Sequence, residues 1–210
     1  MQPIKCFMLE PTNKGKVELI RSNNAWGKDG QIIPEKKCPL TGYSHIARAY
    51  IGDTEVELRD NLFDPVDPDA LRVPHDDPRW PAKCDCGYEF TPQDQYASTC
   101  HTLYKERDQD TGFLGTLRDA PVGAMWYADW MMHGIPEERQ GPGTFRGPDG
   151  HCLMVQLPGD WEWAADGPAS NGDGWTRTGE PPNVTASPSV WANAPKGWHG
   201  WLRDGYLVEA

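Results

Sequence analysis

The sequence predicts an α+β fold made mainly of short antiparallel strands, with one clear helix at about residues 92–106 and long loops. Three observations favour this class. Gly (22) and Pro (20) together make up about a fifth of the 210 residues, which is typical of a chain with many turns. Short apolar runs alternate with turn signals along both ends of the chain. A single segment near the middle has helical periodicity.

The strands are predicted from short apolar runs bounded by Gly, Asn and Asp. Turns are expected at residues 13–15 and 28–30, at Gly52-Asp53, and at residues 203–205, where the last turn closes a C-terminal hairpin. The expected strands cover residues 4–9, 17–21, 31–33, 45–51, 54–58, 152–157, 161–163, 183–190, 197–202 and 206–209. Residues 64–81 contain five Pro and five Asp and are predicted to form a loop.

The helix prediction depends on a start signal and an apolar stripe. Thr91 is a suitable N-cap, Pro92 fits the first helical position, and Asp94 suits the positive end of the helix dipole. The stripe is formed by residues spaced i, i+4, i+7 and i+8, namely Tyr96, Cys100, Leu103 and Tyr104. A second, shorter helix is predicted over residues 121–132.

Composition restricts the classes of function. The formal net charge of −11 disfavours direct binding to nucleic acid, since phosphate backbones require Lys and Arg. No apolar run approaches the length of a membrane span, and residues 1–10 lack the features of a signal peptide. We therefore expect a protein kept in a cytoplasm, where thiols stay reduced. The ten Trp residues argue against disorder.

Two parts are distinguished along the chain. Residues 1–80 form a β-rich N-terminal part, and residues 81–210 contain a Cys motif, the predicted helix and a Trp-rich β region. We expect the two parts to form one compact unit. The length of the chain is sufficient for one large domain.

The most specific local motif is Cys84-Asp85-Cys86-Gly87, which predicts a structural zinc knuckle. Two thiolates followed by a Gly that permits a tight turn can hold one cation, and a closed zinc site needs four ligands. The nearest further donors are Cys100 and His101 in the predicted helix. The alternatives are that the thiols are free or form disulfides, since the chain has six Cys. His151, Cys152 and His199 are more distant donors.

A catalytic zinc site with an open position is the alternative to a structural one. Asp85, Glu89 and Glu162 are candidates for its general base by residue type alone. The sequence contains no His-Glu-x-x-His helix, phosphate-binding loop or Ser nucleophile elbow. No residue is therefore assigned a catalytic role.

The Trp residues of the C-terminal half are the second notable feature, and we expect most of them to form the core of a Leu-poor domain. The alternative is that exposed Trp on a β surface stack on sugar rings. The set comprises Trp161, Trp163, Trp175, Trp191, Trp198 and Trp201.

Six segments, taken in order, resemble a family of small uncharacterised proteins encoded by tailed bacteriophages. They are residues 84–88, 119–126, 149–153, 169–171, 181–185 and 198–205. The closing Trp198-His199-Gly200-Trp201-Leu202-Arg203-Asp204-Gly205 segment is the most specific, and the Cys84 motif is next. Members of the family often carry extra Cys and His after the third-to-last segment, where this chain has Gly172-Asp173-Gly174-Trp175. The resemblance covers residues 84–209 and implies a phage origin, with no activity attached.

These observations favour a non-enzymatic phage protein that acts by binding, such as a capsid or tail decoration component of the virion with a structural zinc. Its expected partner is a protein, with no direct nucleic-acid or membrane binding, and it could form an oligomer. Its expected location is the host cytoplasm during infection, or the virion. The alternatives are a zinc-dependent hydrolase of the infected cell and an acidic inhibitor of a host DNA-binding protein.

Overall fold

The computed structural model describes residues 2–26, 32–34, 37–108, 110–141, 143–169, 174–192 and 197–210. The predicted turn at residues 28–30 and residues 170–173 of the phage-like pattern lie outside this description. The strands are β1 (Ile4–Lys5), β2 (Phe7–Ser22), β3 (Asn24–Trp26), β4 (Ile32–Pro34), β5 (Ile46–Glu57), β6 (Gln95–Glu106), β7 (Leu114–Gly115), β8 (Ala124–Tyr127), β9 (Leu153–Leu157), β10 (Trp161–Ala164), β11 (Thr176–Glu180), β12 (Asn183–Ala192), β13 (Trp198–Arg203) and β14 (Tyr206–Glu209).

The protein is all-β, so the α+β prediction is wrong. Helical structure in the described ranges is limited to short 3-10 helices of three or four residues, at Pro68–Leu71, Leu117–Asp119, Asp129–Met132 and Glu137–Arg139. None of the helices in the described part of the chain is long and apolar enough to cross a membrane.

The predicted helix at 92–106 is strand β6 instead. Its start signal forms a single turn, because the Asp94 carboxylate accepts hydrogen bonds from the Thr91 N–H (2.6 Å) and the Thr91 hydroxyl (3.1 Å). The stripe was ambiguous, since Tyr96, Cys100 and Tyr104 are spaced by four residues and such a spacing also places side chains on one face of a strand. Pairing with β2 then decides in favour of the strand.

The predicted helix at 121–132 is also absent. Within this segment, residues 124–127 form β8 and residues 129–132 form a 3-10 helix. Strand β8 is buried on both faces, as is β9, with which it pairs. A strand covered on both sides has a nearly continuous apolar sequence, and such a short run gives no period that distinguishes a strand from a helix.

Two predicted turns lie inside continuous strands. Residues 13–15 belong to β2, where Gly15 is required by a close approach: a Cβ there would lie 2.6 Å from the Cys100 Sγ. Gly52 lies in β5. In the pairing of β5 with β2, Lys16 lies opposite Glu55 and Glu18 lies opposite Tyr50. Residues 51–54 of β5 are therefore matched by a single residue of β2, and they form a bulge.

The chain divides into two compact units, a first unit of residues 11–103 and a second unit of residues 1–10 with 104–210. The predicted boundary at residue 80 falls inside the first unit. In the first unit, β5 and β6 flank β2. Its core comprises buried Val17, Leu19 and Trp80, which pack with partly buried Ile51, Val56, Leu71, Val73 and Tyr96.

The second unit contains a five-stranded sheet of order β1-β14-β13-β12-β11 and a sheet in which β10, β9 and β8 continue to the start of β2. Side chains from both sheets form one core, which includes Met125, Val155, Val184, Trp198 and Leu202. A second cluster, built around Trp126, covers the other face of β8 and β9.

A buried ion-pair network joins loops of the second unit to β11. The Arg177 side chain is fully buried and binds Asp149 through two nitrogens (2.6 and 3.1 Å) and Asp166 through Nε (2.9 Å). Asp166 also accepts a hydrogen bond from the Leu153 N–H at 2.9 Å. Gly147 leaves room for this network, since a Cβ there would contact the Arg177 guanidinium and lie 2.6 Å from Asp166 Oδ1. Because the network is buried and links two loops to β11, we assign it a structural role in this unit.

Candidate metal centre

The first loop of the candidate site brings Cys38 and His45 to its base. Lys37 and Ser44 form an antiparallel bridge. Within the loop, the Cys38 N–H donates to the carbonyl of Tyr43 (2.6 Å), and the Gly42 N–H donates to the carbonyl of Cys38 (2.8 Å). Gly42 has a φ of 75°, a conformation that favours glycine and completes the turn. These bonds place Cys38 and His45 at the two ends of one tight loop.

The second loop carries Cys84 and Cys86. Lys83 and Glu89 form an antiparallel bridge, and their side chains form an ion pair at 2.7 Å. The Gly87 N–H donates to the carbonyl of Cys84 (2.8 Å), and Gly87 has a φ of 89°. The turn therefore needs glycine directly after the second thiol, as the sequence motif indicated.

The two loops bring four donor groups together inside the first unit. The three Sγ atoms of Cys38, Cys84 and Cys86 and a ring nitrogen of His45 all lie within 4.8 Å of one another. Cys86 Sγ and His45 Nδ1 lie 3.1 Å apart. Tetrahedral zinc with ordinary Zn–S and Zn–N bonds separates its ligand atoms by about 3.5–3.8 Å. The four donors can therefore hold one zinc ion after changes of no more than about 1 Å in their separations.

His45 is held by a set of interactions around the cluster. The His45 backbone N–H donates to Asn23 Oδ1 (2.8 Å), and the Asn23 backbone N–H donates to the His45 carbonyl (3.2 Å). The imidazole stacks on the Tyr88 ring, with centroids 4.1 Å apart and planes within 8° of parallel. Such outer interactions orient a ligating imidazole before the metal arrives.

The electrostatics of the thiols favour binding of a cation. Burial opposes ionisation of Cys38, but hydrogen bonds from the backbone of Leu40 and Thr41, from the Thr41 hydroxyl and from Cys86 lower its pKa to about 7. For Cys86, a bond from the Tyr88 backbone favours the thiolate, yet burial and the neighbouring sulfurs together raise its pKa. Thiolates this close repel one another, and a bound cation relieves that repulsion.

The structure separates the four ligands suggested by the sequence. Cys84 and Cys86 lie in the cluster, whereas Cys100 and His101 lie in β6 and outside it. The Cys100 thiol faces Gly15 and has its pKa raised by burial. His101 Nε2 lies 3.0 Å from a carboxylate oxygen of buried Glu18. As neighbours in a strand, Cys100 and His101 point to opposite faces of the sheet and are poorly placed to share one ion.

Cys38 and His45 were not identified from the sequence. A signal for them exists in the spacing Cys38-x6-His45 with Gly42 between, because a turn inside such a segment returns its two ends to one place. The more distant donors are in the second unit. His151 pairs with Asp129 at 2.8 Å, Cys152 is fully buried, and His199 lies 3.1 Å from the Ser189 hydroxyl.

Comparison with known proteins provides no template for this site. No protein-family model, curated protein or solved structure was found to match the chain. The function of the centre is therefore argued from its own donors and surroundings.

Proposed function

We propose that this protein binds one zinc ion through Cys38, His45, Cys84 and Cys86, and that the ion has a structural role. The observation that carries the proposal is the convergence of these four donors from two loops far apart in the sequence. Three thiolates and one imidazole are a common closed set for structural zinc. Soft sulfur ligands also favour zinc over magnesium or calcium. The ion would join the loop of residues 37–45 to the loop of residues 83–89.

A catalytic role for the ion is less well supported. Catalytic zinc keeps a coordination position for water or substrate, usually beside three protein ligands. Here the protein offers four donors, and Cys38, His45 and Cys84 are buried. Four protein ligands complete the tetrahedron, so the geometry favours a structural ion over a hydrolase centre.

The surface beside the centre supports a function in binding. The first loop exposes 67% of Leu40 and 77% of Tyr43. A cleft of about 400 Å³ lies beside them and is lined by both loops, including Cys38, Ile46 and Asp85. Exposed apolar residues grouped on a soluble protein are typical of protein–protein contact sites. The zinc would hold this contact surface in shape, with a protein as the partner.

The virion is the location that we propose for this binding function, because of the resemblance of residues 84–209 to tailed-phage proteins. The protein would act there as an accessory component of the capsid or tail. Mass spectrometry of purified virions, beside the lysate of infected cells, tests the proposal. Recovery of the chain in stoichiometric amounts with the particles is expected. Its presence in the lysate alone would contradict a virion role and leave the zinc centre unaffected.

Substitution of single ligands tests the zinc centre. We expect Cys38→Ser and Cys84→Ser to lose most of the bound zinc, because a structural site with three remaining ligands binds the ion far more weakly. Cys100→Ser is the matched control, since it removes a half-buried thiol of the same unit that lies outside the cluster. Metal content of the purified variants, measured by mass spectrometry, is the readout.

The His101→Ala variant completes this experiment, because His101 was a ligand candidate from the sequence alone. It is expected to retain one zinc per chain. Loss of zinc from Cys100→Ser or His101→Ala, with retention in Cys38→Ser, would refute the proposed ligand set.

A further inference from the structure

A row of planar side chains lies on the outward face of the five-stranded sheet in the second unit. Trp191 on β12 is paired with His199 on β13, and their ring centroids are 6.3 Å apart. The His199 ring lies 5.9 Å from the Trp201 ring, and the Arg203 guanidinium carbon lies 4.7 Å from the centroid of Trp201. We call Trp191, His199, Trp201 and Arg203 the aromatic row. It continues along β13 at every second residue, as one face of a strand requires.

The aromatic row is separate from the core of the unit. The intervening residues Val190, Trp198 and Leu202 point the other way and are buried in the core between the two sheets. In contrast, 75% of the Trp191 surface is exposed. The Trp191 ring therefore leaves a large apolar area in water beside the His199 and Trp201 rings, and exposed rings grouped in this way are typical of binding surfaces.

Hydroxyl groups accompany the aromatic row on the same face. The Ser189 hydroxyl lies 3.1 Å from His199 Nε2. On the neighbouring strand pair, Thr176 lies opposite Ser187 and Thr178 lies opposite Thr185, on either side of inward-facing Arg177. The face therefore presents aromatic rings at one end and several hydroxyls at the other.

Positive charge on this face lies beside the aromatic row. The chain has a net charge of −11, yet the outward-facing described residues of β12 and β13 include Arg203 and no Asp or Glu. Two carboxylates border these strands: Glu180 is exposed at the end of β11, and Asp204 accepts a hydrogen bond from the Thr185 hydroxyl (3.3 Å). A single Arg with its fork of donors is well suited to hydrogen bonding with hydroxyl or carboxylate oxygens. It is too little positive charge to follow a nucleic-acid backbone, which takes several Lys and Arg.

These features together identify a class of ligand. A protein partner would be expected to cover a continuous apolar centre, whereas here each ring is bordered by polar groups. A sugar has both properties, because the C–H face of a pyranose packs on an aromatic ring and its hydroxyls bond to surrounding donors and acceptors. Neighbouring rings of the row are 5.9–6.3 Å apart on the outward face of a sheet, and a flat, extended chain can follow such a surface. We propose that the aromatic row is a binding site for an extended, β-linked oligosaccharide, with Trp191 as the main stacking platform.

The roles within the site follow from exposure and contact. Trp191 would stack on one sugar ring, while His199 and Ser189 bond to its hydroxyls. Arg203 covers part of Trp201, so it fixes that ring and offers donors beside it. This function goes beyond the zinc centre and does not depend on it, since the row lies in the other unit.

Titration calorimetry with cellohexaose and chitohexaose tests the proposal on the intact protein. At least one of the two is expected to bind, and maltohexaose, whose α-linked chain is coiled, is expected to bind more weakly. Trp191→Ala should weaken the binding about tenfold or more, the effect of losing roughly one good stacking contact. Trp161→Ala is the matched control, because it removes another half-exposed Trp of the same unit, on β10.

Three results would overturn the proposal. The first is that neither β-linked hexamer binds the protein. The second is that one of them binds with an affinity that Trp191→Ala does not change. The third is that the protein self-associates with concentration and Trp191→Ala abolishes that association, since the face would then be covered by a second copy. Retention of the native near-ultraviolet circular dichroism in Trp191→Ala distinguishes lost binding from lost folding.

Discussion

Removal of zinc with a chelator is expected to lower the unfolding temperature of the first unit by about 15–30 °C. A ligand present at a thousandfold excess over its Kd stabilises the folded state by about 4 kcal/mol. For a unit of this size, each kcal/mol corresponds to a shift of about 4–8 °C in Tm. The physical cause is local: without the ion, three sulfurs and an imidazole remain crowded together, and nothing joins the two loops covalently or through metal.

Differential scanning calorimetry with and without EDTA, followed by return of one equivalent of zinc, measures the effect. Hydrogen exchange locates it, since residues 37–45 and 83–89 should lose protection while β8 and β9 of the second unit keep theirs. The Cys100→Ser variant should respond to the chelator as the unaltered protein does. Equal unfolding temperatures for the zinc-loaded and zinc-free protein would contradict a structural role for the ion.

Substitution of Arg177 is expected to have the second largest effect, on the second unit. Arg177→Met leaves Asp166, which is almost fully buried, and half-buried Asp149 without their cation. Breaking a buried ion pair by removal of one partner costs about 3–5 kcal/mol, because an uncompensated charge remains inside the protein. Urea unfolding followed by circular dichroism measures this loss. Replacing Asp166 by Asn in the same chain should recover part of it.

Arg146→Met is the matched control for Arg177. The Arg146 guanidinium pairs with exposed Glu137 at 3.4 Å, and such surface pairs contribute about 0–1 kcal/mol. Arg177→Lys tests the geometry, since an ammonium retains the charge but cannot bond to both carboxylates as a planar fork does. An Arg177→Met variant no less stable than Arg146→Met would show that the network contributes little to stability.

The β structure of the C-terminal region could be predicted from the sequence. Strands β12, β13 and β14 lie where short apolar runs between turn signals placed them, and the turn at residues 203–205 joins the last pair. In these strands one face is buried and the other exposed, so the pattern is legible in sequence. The signal fails in β8, which is buried on both faces, and in β6, where a spacing of four residues fits a strand as well as a helix.

Half of the candidate metal site could be predicted, for a related reason. Cys84 and Cys86 are close in sequence, and the Gly87 turn that joins them is a local feature. Cys38 and His45 belong to a separate loop, and only the folding of the first unit brings that loop to the other. Cys100 and His101 are the first Cys and His after the motif and were therefore the expected remaining ligands, but neighbouring positions in β6 direct their side chains to opposite faces of the sheet.

X-ray absorption at the zinc K-edge of the purified protein tests the central claim most directly, because it reports the atoms bound to the ion. The proposed centre predicts three sulfur ligands at about 2.3 Å and one nitrogen ligand at about 2.0–2.1 Å. His45→Ala should replace the nitrogen ligand and leave the sulfur shell intact. A shell dominated by oxygen or nitrogen, or a protein that holds no zinc after purification in its presence, would contradict the four-residue centre.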